Sequence, residues 1–350
     1  MSDKQYQRAG DGSTLVQAGT VHVGLSYADA RQIAEDVFAA NFMKLKGEAH
    51  QLAQFRMEEI TDRFLQTLLD RNPEAIENAR KPGAQRALYR VQEEYACSGD
   101  TQIADMLVAM LVERFGERDR SFRQLVLDEA MATIPKLTMP QIASLSLIFF
   151  MRQVHHSNLP YASARTAIHT TLVSNLHAIG PIACSLIDLR HLEYSGCIAL
   201  ADGQCTSGHA LTQNYPGAFS NGINPHSVPD EWAALMPPHP DFPDKRHIPV
   251  IDKEQLQEYL EKAKPELTSE EITRITAIFM GSPMSEEEVK EIATAGDARL
   301  RQLFDAWDET RLKNAEITSI GTAIGHANLQ RANPDFTSEL DPWLREHGSR

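Results

Sequence analysis

Ile142-Ala143-Ser144-Leu145-Ser146-Leu147-Ile148-Phe149-Phe150-Met151 is apolar on nearly every face of a helix. Thr138-Met139-Pro140 precedes it, and proline in a first helical turn loses no hydrogen bond that the helix would have made. Ten apolar residues are about half of what a bilayer crossing requires. The stretch therefore predicts a buried central helix with other helices packed all round it, and so a mainly α protein. No apolar run in the chain approaches the roughly 18 residues of a membrane span.

Helical segments flank this centre on both sides. Upstream, the reading gives Ala84 to Tyr95 after Pro82-Gly83, Thr101 to Phe115 capped by Asp100, and a run from Ser121 to Pro135. Downstream, Ser163 to Ile179 stops at Gly180-Pro181. Nearer the start, Ser26 and Asp29 form an S-x-x-[DE] capping box. From there apolar residues at Ala34, Phe38, Phe42, Leu45, Ala49, Leu52, Ile60, Phe64 and Leu68 follow helical spacing. Unbroken, that helix would measure about 65 Å at 1.5 Å per residue. Gly47 is the candidate break.

Beyond Gly196 the texture changes. Gly196 to Gly203 reads as a short strand and a turn, and Tyr215-Pro216-Gly217 as another turn. Seven prolines then fall between Pro225 and Pro249, and a regular helix does not survive such a density. Helical patterns resume at Glu254 to Lys264, Thr268 to Met280, Ser285 to Thr294 and Ala298 to Glu316. Near the end, Ile317 to Ala327 is rich in small residues. Gly321 and Gly325, four apart, predict a close helix–helix contact. Four units follow: an N-terminal β-type arm (1–25), a helical body (26–195), an irregular connector (196–250) and an acidic helical domain (251–350). The last holds 20 acidic and 12 basic side chains.

The 350 residues are 42% hydrophobic and 23% charged, an ordinary globular composition. With 48 acidic against 34 basic residues the net charge is −14, which argues against nucleic-acid partners. Four cysteines and an opening without an apolar core predict a cytoplasmic location.

Chemistry is harder to find. Neither G-x-x-x-x-G-K-[ST] nor G-x-G-x-x-G occurs, and H-E-x-x-H, G-x-S-x-G and kinase signatures are missing too. Cys197, Cys205 and His209, with His191 upstream, are the best metal candidates, since thiolate and imidazole suit zinc. Their spacing matches no standard zinc ribbon or finger. Two V-x-x-G units, Val16-Gln17-Ala18-Gly19 and Val21-His22-Val23-Gly24, read as short uncharged strands. Such segments either dock on their own chain or stack between chains through backbone hydrogen bonds.

Gln17-Ala18-Gly19 followed by Gly24-Leu25-Ser26-Tyr27-Ala28-Asp29-Ala30-Arg31-Gln32-Ile33-Ala34 resembles the opening of an uncharacterised bacterial protein family. Leu192-Glu193-Tyr194 with Gly196-Cys197, Tyr215 to Phe219, and Thr318 to Asn328 extend the resemblance. It implies a bacterial cytoplasmic protein and assigns no catalytic residue. Similar Gln-Ala-Gly openings stand at the start of bacterial conflict and signalling proteins, which implies a part in antiphage defence or stress signalling.

The function expected is thus a non-enzymatic, self-associating interaction protein, a homo-oligomer that needs no cofactor. Its contacts would come from Val16, Gln17, Gly19, Val21, Val23 and Gly24 of the arm, with Phe38 and Phe42 on the helix. The partners implied are further copies of the chain and a second protein. The alternative, from another class, is a zinc-dependent enzyme or metal sensor built on Cys197, Cys205, His209 and His191.

Overall fold

The computed structural model describes residues 25–42, 47–117, 121–156 and 159–344. The arm residues from Val16 to Gly24, and Leu45, lie outside them. The protein is mainly α.

Five helices form the first group: α1 (Tyr27–Asn41), α2 (Glu48–Arg71), α3 (Pro82–Ser98), α4 (Thr101–Gly116) and α5 (Phe122–Thr133). Ser26 and Asp29 make the capping box expected of them. The chain breaks at Gly47, whose φ of 61° suits glycine best. The long helix is therefore two helices that pack on each other and on α3.

The central helix α6 (Met139–Gln153) is buried at every position from Gln141 to Met151. It is followed by α7 (Ala164–Leu176), α8 (Leu186–Tyr194), the strand β1 (Ile198–Leu200) and α9 (Ser207–Asn214). Then come α10 (Lys253–Ala263), α11 (Ser269–Met280), α12 (Glu286–Thr294), α13 (Ala298–Glu309), β2 (Ala315–Ile317), α14 (Ser319–Ala332) and α15 (Asp341–Leu344). Capping boxes start α11 at Thr268 and α12 at Ser285. The helix expected to run to Glu316 ends at Glu309. Ala315 to Ile317 instead pairs antiparallel with β1, Ile317 opposite Ile198 and Ala315 opposite Leu200. That pairing delivers α14 onto α6, the tightest helix pair of the fold. A Cβ at Gly325 would stand 2.7 Å from the Leu145 carbonyl oxygen, and one at Gly321 would overlap the carbonyl of Cys197. Gly325 is small because backbone meets backbone at α6, and Gly321 because the chain ahead of β1 passes over the first turn of α14.

The main core runs without interruption from Leu25 through α6 to Leu340. It crosses the domain limits expected at 195 and 250, because α12, α13 and α14 pack into the helical body. A second, smaller core takes Ile223, Trp232, Leu235, Met236, Ile248 and Val250 from the proline-rich stretch, and Leu256, Leu260, Ile275 and Phe279 from α10 and α11. The stretch expected to be a connector is therefore half of a packed lobe. Its prolines exclude regular helix but admit short 3-10 turns at Pro225–Ser227 and Asp230–Leu235. Among the described residues no helix is long and apolar enough to cross a membrane.

Candidate binding cleft

Backbone contacts close the neck at which the chain leaves the main core for the lobe and returns to it. Gly217 N–H donates to Ile251 O (3.0 Å), Met284 N–H to Phe219 O (2.9 Å) and Asn221 N–H to Ser282 O (2.8 Å). Beside this joint lies a cleft of about 410 Å³, between the start of α7 and the loop 238–247. Its volume suits a small ligand.

The loop is shaped by its own backbone. Ile223 and Arg246 exchange two hydrogen bonds (2.7 and 2.9 Å), and His239 N–H donates to Lys245 O at 2.8 Å. Inside the turn, Nδ1 of His239 accepts from the N–H groups of Asp241 (3.1 Å) and Phe242 (3.3 Å). A nitrogen that accepts two donors carries no proton, so His239 is neutral with its hydrogen on Nε2. Burial and the neighbouring His247 push its pKa down. His247 stands edge-on to His239 with ring centroids 5.4 Å apart, and stacks on Tyr161 at 4.8 Å. Burial lowers the pKa of His247, and its Nδ1 is enclosed without a hydrogen-bond partner among the described residues. Burial also pushes the Tyr161 phenol up to about 12.

Arg165, in the first turn of α7, ties the two sides together. Its Nε donates to Ala218 O at 2.8 Å and its Nη1 to the Asp241 carboxylate at 2.9 Å. The cleft is therefore lined by a guanidinium paired with a carboxylate, a phenol and the His247 imidazole, while buried His239 shapes the loop from outside the lining. Ser163 and Thr166 also line it. This set can donate and accept hydrogen bonds and stack on a flat molecule. Among the described residues, no hydroxyl or thiol side chain is hydrogen-bonded to a histidine ring, so no nucleophile–base pair is formed.

The residues singled out from sequence lie elsewhere. Phe38 is buried in a small cluster with Ala53, Met57 and Ala96, and Phe42 stacks on it with centroids 4.3 Å apart. Phe38 is thus taken up inside the chain, while Phe42 is half-buried. Cys197, buried ahead of β1, directs its Sγ to Ser195 O at 3.8 Å. Burial raises its thiol to about 12. Cys205 directs its thiol to Thr206 O at 3.9 Å, and its own carbonyl accepts from the Trp307 indole at 2.7 Å. His191 pairs with Gln141 Oε1 at 3.3 Å, and His209 lies on α9. Among the described residues no group of three or more His, Cys, Asp or Glu side chains is placed to hold a metal ion, so these four do not converge.

Tyr161, Arg165, His239, Asp241 and His247 were not singled out from sequence, because they come from segments some 75 residues apart. One local signal was present: in Pro238-His239-Pro240-Asp241 one polar side chain lies between two fixed φ angles and a second follows directly.

A family model matches residues 24–344, so the chain belongs to that family, which is uncharacterised. No curated protein and no solved structure matches the chain.

Proposed function

We propose that this protein is a non-enzymatic binding protein that takes a small, uncharged, polar molecule in the cleft beside Arg165. The observation that supports this reading is an open volume of about 410 Å³ lined by the stacked Tyr161 and His247 rings and by the paired Arg165 and Asp241. Paired charges and neutral rings favour an uncharged ligand over an ion. Thermal melting against a panel of small uncharged heterocycles and amides tests this. At least one compound should raise the wild-type midpoint by a few degrees, through binding to the folded state alone. Tyr161→Ala should lose that shift. A panel that never separates the two proteins would sink the reading.

A second reading, self-association in a bacterial signalling or defence setting, draws support from α8. Ile187 and Tyr194 are 82% and 91% exposed, and being seven apart they share one face of the helix. That face would meet a second copy, with the arm from Val16 to Gly24 adding strand-like contacts. The discriminating measurement is mass in solution over a concentration series. The full chain should form an oligomer that Tyr194→Lys or a start at Ser26 weakens. A full chain that stays monomeric at every concentration excludes it.

A further inference from the structure

A second cavity, of about 560 Å³, opens between α3, α4 and α5, remote in sequence from the cleft at Arg165. Lys81, Arg86, Arg90 and Arg114 line it, which is unexpected in a chain with a net charge of −14. Glu117, Asp128 and Glu129 face the same space, but two of these carboxylates are already committed. Glu117 binds Arg123 at 2.7 Å and accepts from Ser121 Oγ at 2.7 Å. Asp128 binds Arg114 Nε at 2.8 Å.

The arginines divide by role. Arg114 is 5% exposed and forms the floor. Its Nη2 would be 3.0 Å from a Cβ at Gly83, so a residue without a side chain lets the guanidinium lie against the first turn of α3. With the Gln124 amide turned so that its oxygen faces Arg114, that oxygen accepts from Nη1 and Nη2 at 2.9 and 2.6 Å. Arg114 is thereby satisfied. Arg90 is anchored through Nη1 to the backbone carbonyl of Asp128 at 2.9 Å, a contact that fixes its direction without cancelling its charge. Arg86 is exposed and makes no ion pair with the described residues. Arg86 and Arg90 outnumber Glu129, the remaining carboxylate of the lining, so an excess of positive charge stays on one wall, held by a rigid floor. The start of α3 has no side-chain cap, and its Gly83 and Ala84 border the same space.

We propose that this cavity binds a phosphate group, carried by a small phosphorylated molecule or supplied as free phosphate. Planar guanidinium groups match phosphate oxygens in bidentate geometry. The volume exceeds that of a bare phosphate, and it would admit a nucleotide-sized molecule.

Calorimetry on the full chain at matched ionic strength decides the matter, with inorganic phosphate, pyrophosphate, ADP and adenosine as probes. The phosphorylated probes should bind and adenosine should not. Arg86→Glu, an exposed substitution whose fold circular dichroism verifies, should weaken binding by about tenfold or more. Arg86→Gln should fall between it and wild type. Arg165→Ala, in the other cleft, should change nothing, so the two sites fail or stand separately. ADP binding more tightly than phosphate would identify a larger phosphorylated ligand, and equal affinity would identify free phosphate. Absence of binding by all three phosphorylated probes, or binding that Arg86→Glu leaves intact, overturns the proposal.

Discussion

The α6–α14 seam and the lobe between Ile223 and Phe279 bury their side chains by opposite means. In the seam two regular helices meet at glycine, and buried polar groups bridge them: Asn328 donates to Ser146 Oγ at 2.8 Å, and Ser146 Oγ to Gly325 O at 3.2 Å. In the lobe half of the core comes from irregular chain. Backbone pairs such as Ile223–Arg246 hold it, and fully buried Trp232 fills it, with Arg274 against the indole ring at 5.2 Å. Proline removes the helical hydrogen bond, but it also fixes φ and reduces the freedom an irregular segment must give up on folding. Prolines in sequence therefore exclude helix without excluding burial.

The comparison is most exposed at Trp232. If the lobe has a true core, Trp232→Ala should cost about 3–5 kcal/mol by urea unfolding, with hydrogen exchange rising first between residues 223 and 279. A cost below about 1 kcal/mol would return the stretch to the status of a connector. Next comes the seam. Gly321→Ala places a methyl on the Cys197 carbonyl and 2.8 Å from the Ile317 side chain, so β1 or α14 must shift. A loss of about 2–3 kcal/mol is expected. Near-neutral behaviour would show that the seam gives way more easily than the lobe.

Acid should separate the two regions further. His326 lies in the seam among Phe149, Phe336 and Trp343, and its Nε2 donates to Ser338 O at 2.7 Å. Burial lowers its pKa from 6.5 to about 4, with nearby Arg123 adding to the effect. The folded value lies below the unfolded one, so His326 contributes fully above 6.5. Between 6.5 and about 4 the unfolded chain holds a proton that the folded chain lacks, and stability falls with pH. From about pH 7 to pH 5 the loss from this residue should be about 2 kcal/mol. Urea titrations of wild type and His326→Gln at both pH values check it. Equal acid sensitivity in the two proteins would place the lability elsewhere, with His156, His239 and His247 as the other histidines whose pKa burial lowers.

How much of this was legible in the sequence depends on how local each signal is. The capping residues Ser26, Asp100, Thr138, Thr268 and Ser285 act within three residues of themselves, and all of them start helices. Gly47 and Gly325 were legible for the same reason: a backbone requirement is written at the position itself, whereas Gly321 meets the carbonyl of Cys197 and not the helix expected of it. The helix α8 was not anticipated, because Ile187 and Tyr194 point outward and disturb the apolar period. Burial of Trp232 was also hidden, since nothing beside it names its partners on α10 and α11. The candidate cleft is the extreme case. Tyr161 and Arg165 meet His239, Asp241 and His247 only because the lobe docks against α7. No spacing rule could have gathered them.

The smallest expected effect concerns that docking. Arg165 and Asp241 form the ion pair that crosses the joint, with side chains 33% and 50% exposed. Water screens such a pair, so its coupling in a double-mutant cycle of Arg165→Ala and Asp241→Ala should be about 0.2–1 kcal/mol. Asp241→Asn alone should cost little, because Arg165 keeps its bond to Ala218 O and the His239 turn keeps its two backbone donors. The joint is then held chiefly by Gly217, Asn221 and Met284, whose backbone bonds do not titrate and do not respond to salt. Gly217 allows this approach, since a Cβ there would overlap the Val250 carbonyl oxygen. A coupling energy above about 2 kcal/mol, or strong salt dependence of the lobe's hydrogen exchange, would reverse that ranking. The ion pair would then be the clamp between the two cores, and ligands entering the cleft would act on the joint directly through Arg165.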